Sequence, residues 1–311
     1  MLGLDQVPTE DIRSILDTAF TFREVLERPI KKVPTLQGKT VVNLFLEPST
    51  RTRISFELAQ KRLSADMVNF SAGTSSIVKG ESFKDTAQNL EAMKVDCIVM
   101  RHPIAGAPVH LTRFVRAVVI NAGDGGHEHP TQGLLDLMSL RERFGEIKGL
   151  KVAIIGDIAH SRVARSNIIG LKKMGAKVVL CGPPTLMPVG IDHLGVDVNY
   201  DLQEVLKWAD AVNVLRIQKE RQRACYFPSV REYRDLFGIT RERIEKLARP
   251  LTIMHPGPMN RGVEIDSDVA DSENAIILNQ VLNGVAVRMS VLYLLLGDKP
   301  AEQETGSKEP L

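Results

Sequence analysis

Val41-Val42-Asn43-Leu44-Phe45-Leu46, then Ser49-Thr50-Arg51-Thr52-Arg53, then a helical pattern carrying Phe56, Ala59 and Leu63 form the stretch that sets the reading of the chain. The apolar run is a strand, and the periodic run a helix. A strand that empties into hydroxyls and arginines at a helix start makes an anion site. The free backbone N–H groups and the positive end of the helix dipole face whatever sits there. Arg51 and Arg53 add charged donors, and Ser49, Thr50 and Thr52 neutral ones, all suited to phosphate oxygens. A capped helix with solvent-facing arginines would look the same if it stood alone. It does not, because five more polar clusters follow at strand ends.

Working outward, Thr9 reads as the cap of a first helix with Ile12, Ile15, Leu16 and Ala19 on one face. Strands are expected near 40–46, 67–70, 97–100 and 117–121, with helices near 51–64, 82–95 and 107–115. Ser82 with Asp85 resembles a capping pair for the second of these. A helix from about Pro130 to Phe144 follows, with proline well placed in its first turn. The alternation then restarts, with strands near 151–155, 177–180, 210–215 and 251–254 and a helix near 161–174. The fold class is α/β: two Rossmann-like domains, each with a mostly parallel sheet flanked by helices, joined by linking helices. The expected units are 1–128 and 129–278, with the break near 125–150. The apolar helix 279–297 is expected to be buried and to pack back on the first unit. The polar tail 298–311 is expected to be disordered.

At 311 residues, two domains are the natural prior. A net charge of +2 is too small to argue for nucleic acid, so any positive charge that matters is local. Cys97, Cys181 and Cys225 are far apart and none has CxxC spacing, which fits a reducing compartment and supplies no zinc set. The start is polar from Asp5 onward with no signal-peptide core, and the apolar runs read as too short to span a bilayer. The expectation is a cytoplasmic chain with no membrane partner.

Ligands of open parallel sheets sit beyond the carboxyl ends of the strands. Arg101-His102-Pro103 closes one strand, and His127-Glu128-His129-Pro130-Thr131-Gln132 follows another and opens the linking helix. Asp157 to Arg162, Arg216-Ile217-Gln218 and His255-Pro256-Gly257-Pro258 close three more. The His127/His129 spacing invites a metal, but no third or fourth ligand stands nearby, so none is expected. At a helix start, His129 reads either as a neutral structural histidine or as a donor to a carbonyl. Ile154-Ile155-Gly156 resembles the entry to a dinucleotide turn, but position 158 is Ile and 161 is Ser, which argues against NAD. A P-loop and a Gly-x-Ser-x-Gly elbow are also missing. The small-residue loop holding Ser75 and Lys79 reads from composition as a solvent loop; a lid over an anion is the other reading.

In this order the clusters resemble the aspartate/ornithine carbamoyltransferase family, over nearly the whole chain to about Gly297. Ser49 to Arg53 matches the family's phosphate motif, Arg101 to Pro103 its Arg-His-Pro, and His129 to Gln132 its His-Pro-x-Gln. The aspartate branch is favoured: the ornithine branch's His-Cys-Leu-Pro is replaced by His255-Pro256-Gly257-Pro258, and arginines suit a dicarboxylate. The resemblance implies Ser49, Thr50, Arg51, Thr52 and Arg101 on the phosphate of carbamoyl phosphate, and Thr52, Arg101 and His129 on its carbonyl. It implies Gln132, Gly257 and Pro258 on the carbamoyl amide, and Arg162, Arg216 and Gln218 on the carboxylates of L-aspartate. Arg51, Thr52, Arg101 and His129 would be catalytic. Residues 1–128 would then be the carbamoyl-phosphate domain and 129–278 the aspartate domain. Ser75 and Lys79 match residues supplied by the neighbouring subunit of a homotrimer with shared sites; Val78 replaces a second lysine often found there. Glu47 matches a residue that bridges to arginines corresponding to Arg162 and Arg221. No cofactor and no metal are implied; a dihydroorotase or a regulatory chain is allowed as a partner. The alternatives are a carbamoyltransferase for another amine, such as ornithine, and a weakly active scaffold for dihydroorotase.

Overall fold

A computed structural model of the chain describes residues 1–71, 81–218 and 229–297. Its first half runs α1 (Thr9–Glu27), β1 (Thr40–Phe45), α2 (Thr50–Arg62), β2 (Asp66–Ser71), α3 (Phe83–Ala92), β3 (Cys97–His102), α4 (Ala107–Leu111) and β4 (Val118–Asp124). The strands form one parallel sheet in the order β2-β1-β3-β4. Parallel strands need crossovers, and helices on the faces bury them on both sides, which is why Val41 to Phe45 and Cys97 to Met100 are buried without alternation. The polar interruption, Asn43, is satisfied in place: it exchanges side-chain bonds with Gln60 at 2.8 and 3.0 Å and donates to Asn69 at 2.9 Å.

Helix α5 (Pro130–Phe144) leads into the second half: β5 (Lys151–Ile155), α6 (Arg162–Lys173), β6 (Lys177–Cys181), β7 (Asp197–Val198), α7 (Leu202–Trp208), β8 (Ala211–Val214), α8 (Val230–Phe237), α9 (Arg241–Glu245), β9 (Thr252–Met254) and α10 (Ser267–Ala270). Its sheet is also parallel, in the order β7-β6-β5-β8-β9. The last helix, α11 (Ile277–Leu296), starts against the second core at Ile277 and runs on to α1, α2 and α5. Ser290 donates to the carbonyl of Ile15 at 2.7 Å and Asn283 to the Ser139 hydroxyl at 3.0 Å, locking α11 onto α1 and α5.

Several sequence expectations change. Pro8, not Thr9, is the N-cap of α1, and no side chain caps that end; proline's fixed φ does the entry work. Ser82 does cap α3, accepting from the Asp85 N–H at 3.2 Å. Helix α4 stops at Leu111 rather than running to 115. The short elements β7 and α7 to α10 carry too few periods to read from sequence. Helix α11, with a mean hydropathy of 1.3, is long and apolar enough to cross a membrane by length and composition, which corrects the view that every apolar run falls short. Yet 67% of that stretch is buried inside the fold, as a core helix is. The tail from residue 298 lies outside the described residues.

Candidate active site

The strand orders decide where side chains can meet. In the first sheet the chain leaves β1 toward β2 and then returns to β3 on the other side, so the connections after β1 and β3 part and leave a crevice. In the second sheet the same reversal falls between β5 and β8. Ser49 to Thr52 and Arg101 emerge at the first switch point, Arg162 and Arg216 at the second. The two crevices face each other across the start of α5.

Between them lies a cavity of about 590 Å³. Ser49, Thr50, Arg51, Thr52, Arg101, His129, Gln132, Arg162, Arg216, Gln218, Gly257 and Pro258 all line it. Ser75 and Lys79 lie outside the described residues, as does Arg221. Ser49 is the N-cap of α2 but makes no side-chain cap, so the first N–H groups of the helix are left for a ligand.

Glu47 organises the wall around them. Its carboxylate accepts from Arg101 Nη2 at 2.8 Å and from Arg162 Nη1 at 3.0 Å, with a second bond from Arg162 Nη2. One acid thus joins the end of β3 to the start of α6, and so the first sheet to the second. Gly123, at φ +116°, makes room for both guanidinium groups: a Cβ there would sit 3.1 Å from Arg101 Nη1 and 3.2 Å from Arg162 Cζ. Arg51 lies against the backbone of Gly257. Burial, and then the nearby Arg216 cation, pull the Arg51 guanidinium below its usual value. Two like charges held this close favour an anion between them.

His129 is the N-cap of α5 and is buried. Burial first, then Arg101, Arg288 and Arg162, hold its imidazole well below 6.5, so it is neutral at physiological pH. Its Nδ1 has no hydrogen-bond partner among the described residues. A neutral ring surrounded by arginines can donate one N–H to a developing oxyanion without titrating. Its backbone is pinned by the Ser166 hydroxyl at 2.9 Å, which in turn donates to Glu128 at 2.9 Å. His127 goes elsewhere, pairing with Asp124 at 3.1 Å. Gln218 is steered by the 157–160 turn: its side chain donates to the His160 carbonyl at 3.1 Å and its N–H to Asp157 at 3.4 Å. The 255–258 segment is held by His255, whose Nδ1 accepts the Gly257 N–H at 2.8 Å while Nε2 faces Glu264 at 3.3 Å.

Sequence reasoning missed Arg288, Ser55 and Gln280, which also line the cavity. Arg288 is buried on α11, donates to Ser55 at 3.0 Å and to the Gly284 carbonyl at 2.9 Å, and lies 5.0 Å over the Phe56 ring. Burial brings its guanidinium down to about 9. The signal was present: a lone cation in the apolar run Val285-Ala286-Val287-Arg288-Met289 needs a reason.

Comparisons with known proteins agree with this geometry. Residues 1–142 match the family model for the aspartate/ornithine carbamoyltransferase carbamoyl-P binding domain, and residues 148–295 match that for the Asp/Orn binding domain. The aspartate carbamoyltransferase catalytic subunit of Gemmatimonas aurantiaca is 58% identical over 308 residues, covering 99% of this chain and 97% of that protein. Aspartate transcarbamoylase from Trypanosoma cruzi, solved with N-(phosphonacetyl)-L-aspartic acid, superposes with a TM-score of 0.86 at 30% identity, covering 94% of each chain. Ornithine carbamoyltransferase from Pyrococcus furiosus gives 0.84 at 30% identity, covering 96% of this chain and 97% of that one, so backbone likeness does not separate the two branches. The chain belongs to the aspartate/ornithine carbamoyltransferase family.

Proposed function

We propose that this chain transfers the carbamoyl group of carbamoyl phosphate to the amine of L-aspartate, giving N-carbamoyl-L-aspartate and phosphate. The observation that carries this reading is the meeting of four arginines around one cavity, a pair from the first sheet's side, Arg51 and Arg101, and a pair from the second's, Arg162 and Arg216. The first pair lies beside the open N-terminus of α2 and suits a dianionic phosphate. The second suits a dicarboxylate, whereas the distal ammonium of ornithine would be repelled. Curated relatives at 58% identity carry the aspartate carbamoyltransferase name.

In this reading Ser49, Thr50, Arg51, Thr52 and Arg101 hold the phosphate. Thr52, Arg101 and neutral His129 polarise the carbonyl, and Gln132 with Gly257 and Pro258 receives the carbamoyl amide. Arg162, Arg216 and Gln218 grip the aspartate carboxylates. The amine attacks the carbamoyl carbon, charge gathers on the carbonyl oxygen, and the C–O bond to phosphate breaks. In this reading the departing phosphate takes the amine proton. Catalysis comes from holding two anions in contact and stabilising the oxyanion. Residues 1–128 with 279–297 packed back on them form the carbamoyl-phosphate unit and 129–278 the aspartate unit. The site is assigned to the cytoplasm; the free, buried thiols of Cys97 and Cys181 suit a reducing compartment.

The deciding assay measures ureido product from carbamoyl phosphate with aspartate, ornithine, putrescine or N-acetylornithine. Turnover is expected with aspartate alone; comparable turnover of ornithine would remove the assignment.

A homotrimer with shared sites belongs to the same reading, with Ser75 and Lys79 reaching into the neighbour's cavity. The outward Ile54 and Leu58 of α2 and Val68 of the edge strand β2 offer an apolar rim beside the site for such a contact. Mixing inactive Arg51→Ala and Lys79→Ala chains under exchange conditions is expected to restore measurable activity. Proven subunit exchange without recovery would confine Lys79 to its own chain or to no role.

A further inference from the structure

Asp136 stands one turn after Gln132 on α5, in the apolar run Leu134-Leu135-Asp136-Leu137-Met138, and its side chain is fully buried. Four neutral amides on four different elements donate to it. Oδ1 accepts from Gln132 Nε2 at 3.0 Å and from Gln280 Nε2 at 2.7 Å. Oδ2 accepts from Asn167 Nδ2 at 2.7 Å and from Asn213 Nδ2 at 3.1 Å. A carboxylate has about four acceptor positions and no donor, so this one is filled. Burial pushes the carboxyl up to about 6 against the pull of those amide donors, which leaves it ionised above that value.

An acceptor-only hub dictates which way each amide points. An amide that turns its NH2 group toward a carboxylate must turn its oxygen away. Gln132 lines the cavity, so Oε1 is the atom it has left for a ligand. Gln280 turns its Oε1 to the backbone N–H of His255 at 2.9 Å, which fixes the start of the 255–258 segment. Both sides of the proposed carbamoyl-amide pocket therefore take their orientation from the same carboxylate.

We infer that Asp136 is a positioning residue that makes this part of the cavity an acceptor, so that the site selects an acyl phosphate bearing an NH2 group on its acyl carbon. The inference rests on the reading of Gln132 as the amide's partner. With asparagine at position 136, one edge of the hub becomes a donor. Where that edge faces Gln132, the glutamine satisfies it by turning its oxygen inward and its own NH2 toward the cavity, where donor meets donor.

Two stable probes separate the possibilities by calorimetry, in buffer well above pH 6: phosphonoacetamide, and 2-oxopropylphosphonate, which carries a methyl group in place of the amide nitrogen. The unaltered chain is expected to prefer the amide by about tenfold, the worth of one good hydrogen bond. In Asp136→Asn that ratio is expected to fall close to one, with affinity for the methyl ketone kept within about twofold. An unchanged ratio in a variant whose new amide turns its NH2 to Gln132, or equal weakening toward both probes, would overturn the inference, since a merely structural role moves both alike. No preference in the unaltered chain would overturn the reading of Gln132 and the inference with it. If Asp136→Asn alone does not fold, or turns its NH2 toward Asn167 and Asn213, the exchanged pair D136N/Q132E carries the test, because its acceptor-only carboxylate draws the new amide's NH2 to position 132 and again leaves an oxygen facing the cavity. A folded exchange variant that prefers the amide supports the inference; one that does not overturns it.

Discussion

Arg101→Ala is expected to lower kcat with saturating substrates by about 10²–10³-fold, the usual loss when one preorganised donor to a developing oxyanion is removed. The guanidinium is only 11% exposed, held by Glu47 at 2.8 Å and by the Ala122 carbonyl at 3.3 Å, so it is aimed before any ligand arrives. Alanine removes the donor and also frees Glu47, whose negative charge then faces an incoming dianion. Both changes raise the barrier. Arg101→Lys should recover only part of the loss, because an ammonium cannot bond carboxylate and phosphate through a planar fork. Initial rates at saturation, read beside a thermal melt, check this. A loss below tenfold in a folded variant would remove Arg101 from the chemistry.

Gly257→Ala is expected to cost about 10²-fold in kcat/KM, the scale of a catalytic group displaced by about an ångström. The residue sits at φ +63°, where an L side chain costs roughly 1–2 kcal/mol. More importantly, the new Cβ would stand 2.7 Å from Arg51 Cζ and 2.9 Å from its Nη2. One of the two groups has to move. Gly262 supplies the control: it has φ +79°, and nothing lies within 4 Å of the place its Cβ would take. Gly262→Ala therefore carries a similar backbone cost without touching Arg51, and should keep kcat/KM within about twofold. Equal activity of the two variants would mean that the packing of Gly257 on Arg51 does not position that arginine.

Much of this architecture is legible along the chain. The strand runs at 40–46, 97–100 and 151–155 read correctly because strands buried on both faces are mainly apolar rather than alternating, with Asn43 the polar exception in the first. Ser82 announced its helix because a cap acts locally, through the N–H three residues on. The first cap failed because Pro8 enters α1 through a fixed backbone angle rather than a side-chain bond, and the spacing around Thr9 looks the same in both cases. The short helices α7 to α10 escaped because a turn or two shows too little periodicity to stand out.

The site divides the same way. Polar clusters at strand ends show in one dimension, since a parallel sheet leaves its strands apolar and gathers chemistry at their carboxyl ends. Which clusters share a cavity depends on strand order, and hydrophobic pattern does not encode it: Arg51 and Arg216 are neighbours because each sheet reverses direction beside the other. Along the chain Arg288 and Asp136 are lone charges in apolar runs. Their meaning came from Ser55, Asn167, Asn213 and Gln280, distant in the chain and brought close by packing. Local chemistry is written in neighbouring residues and so survives reading one by one. The orientation of a buried charge is set by partners that only long-range folding supplies.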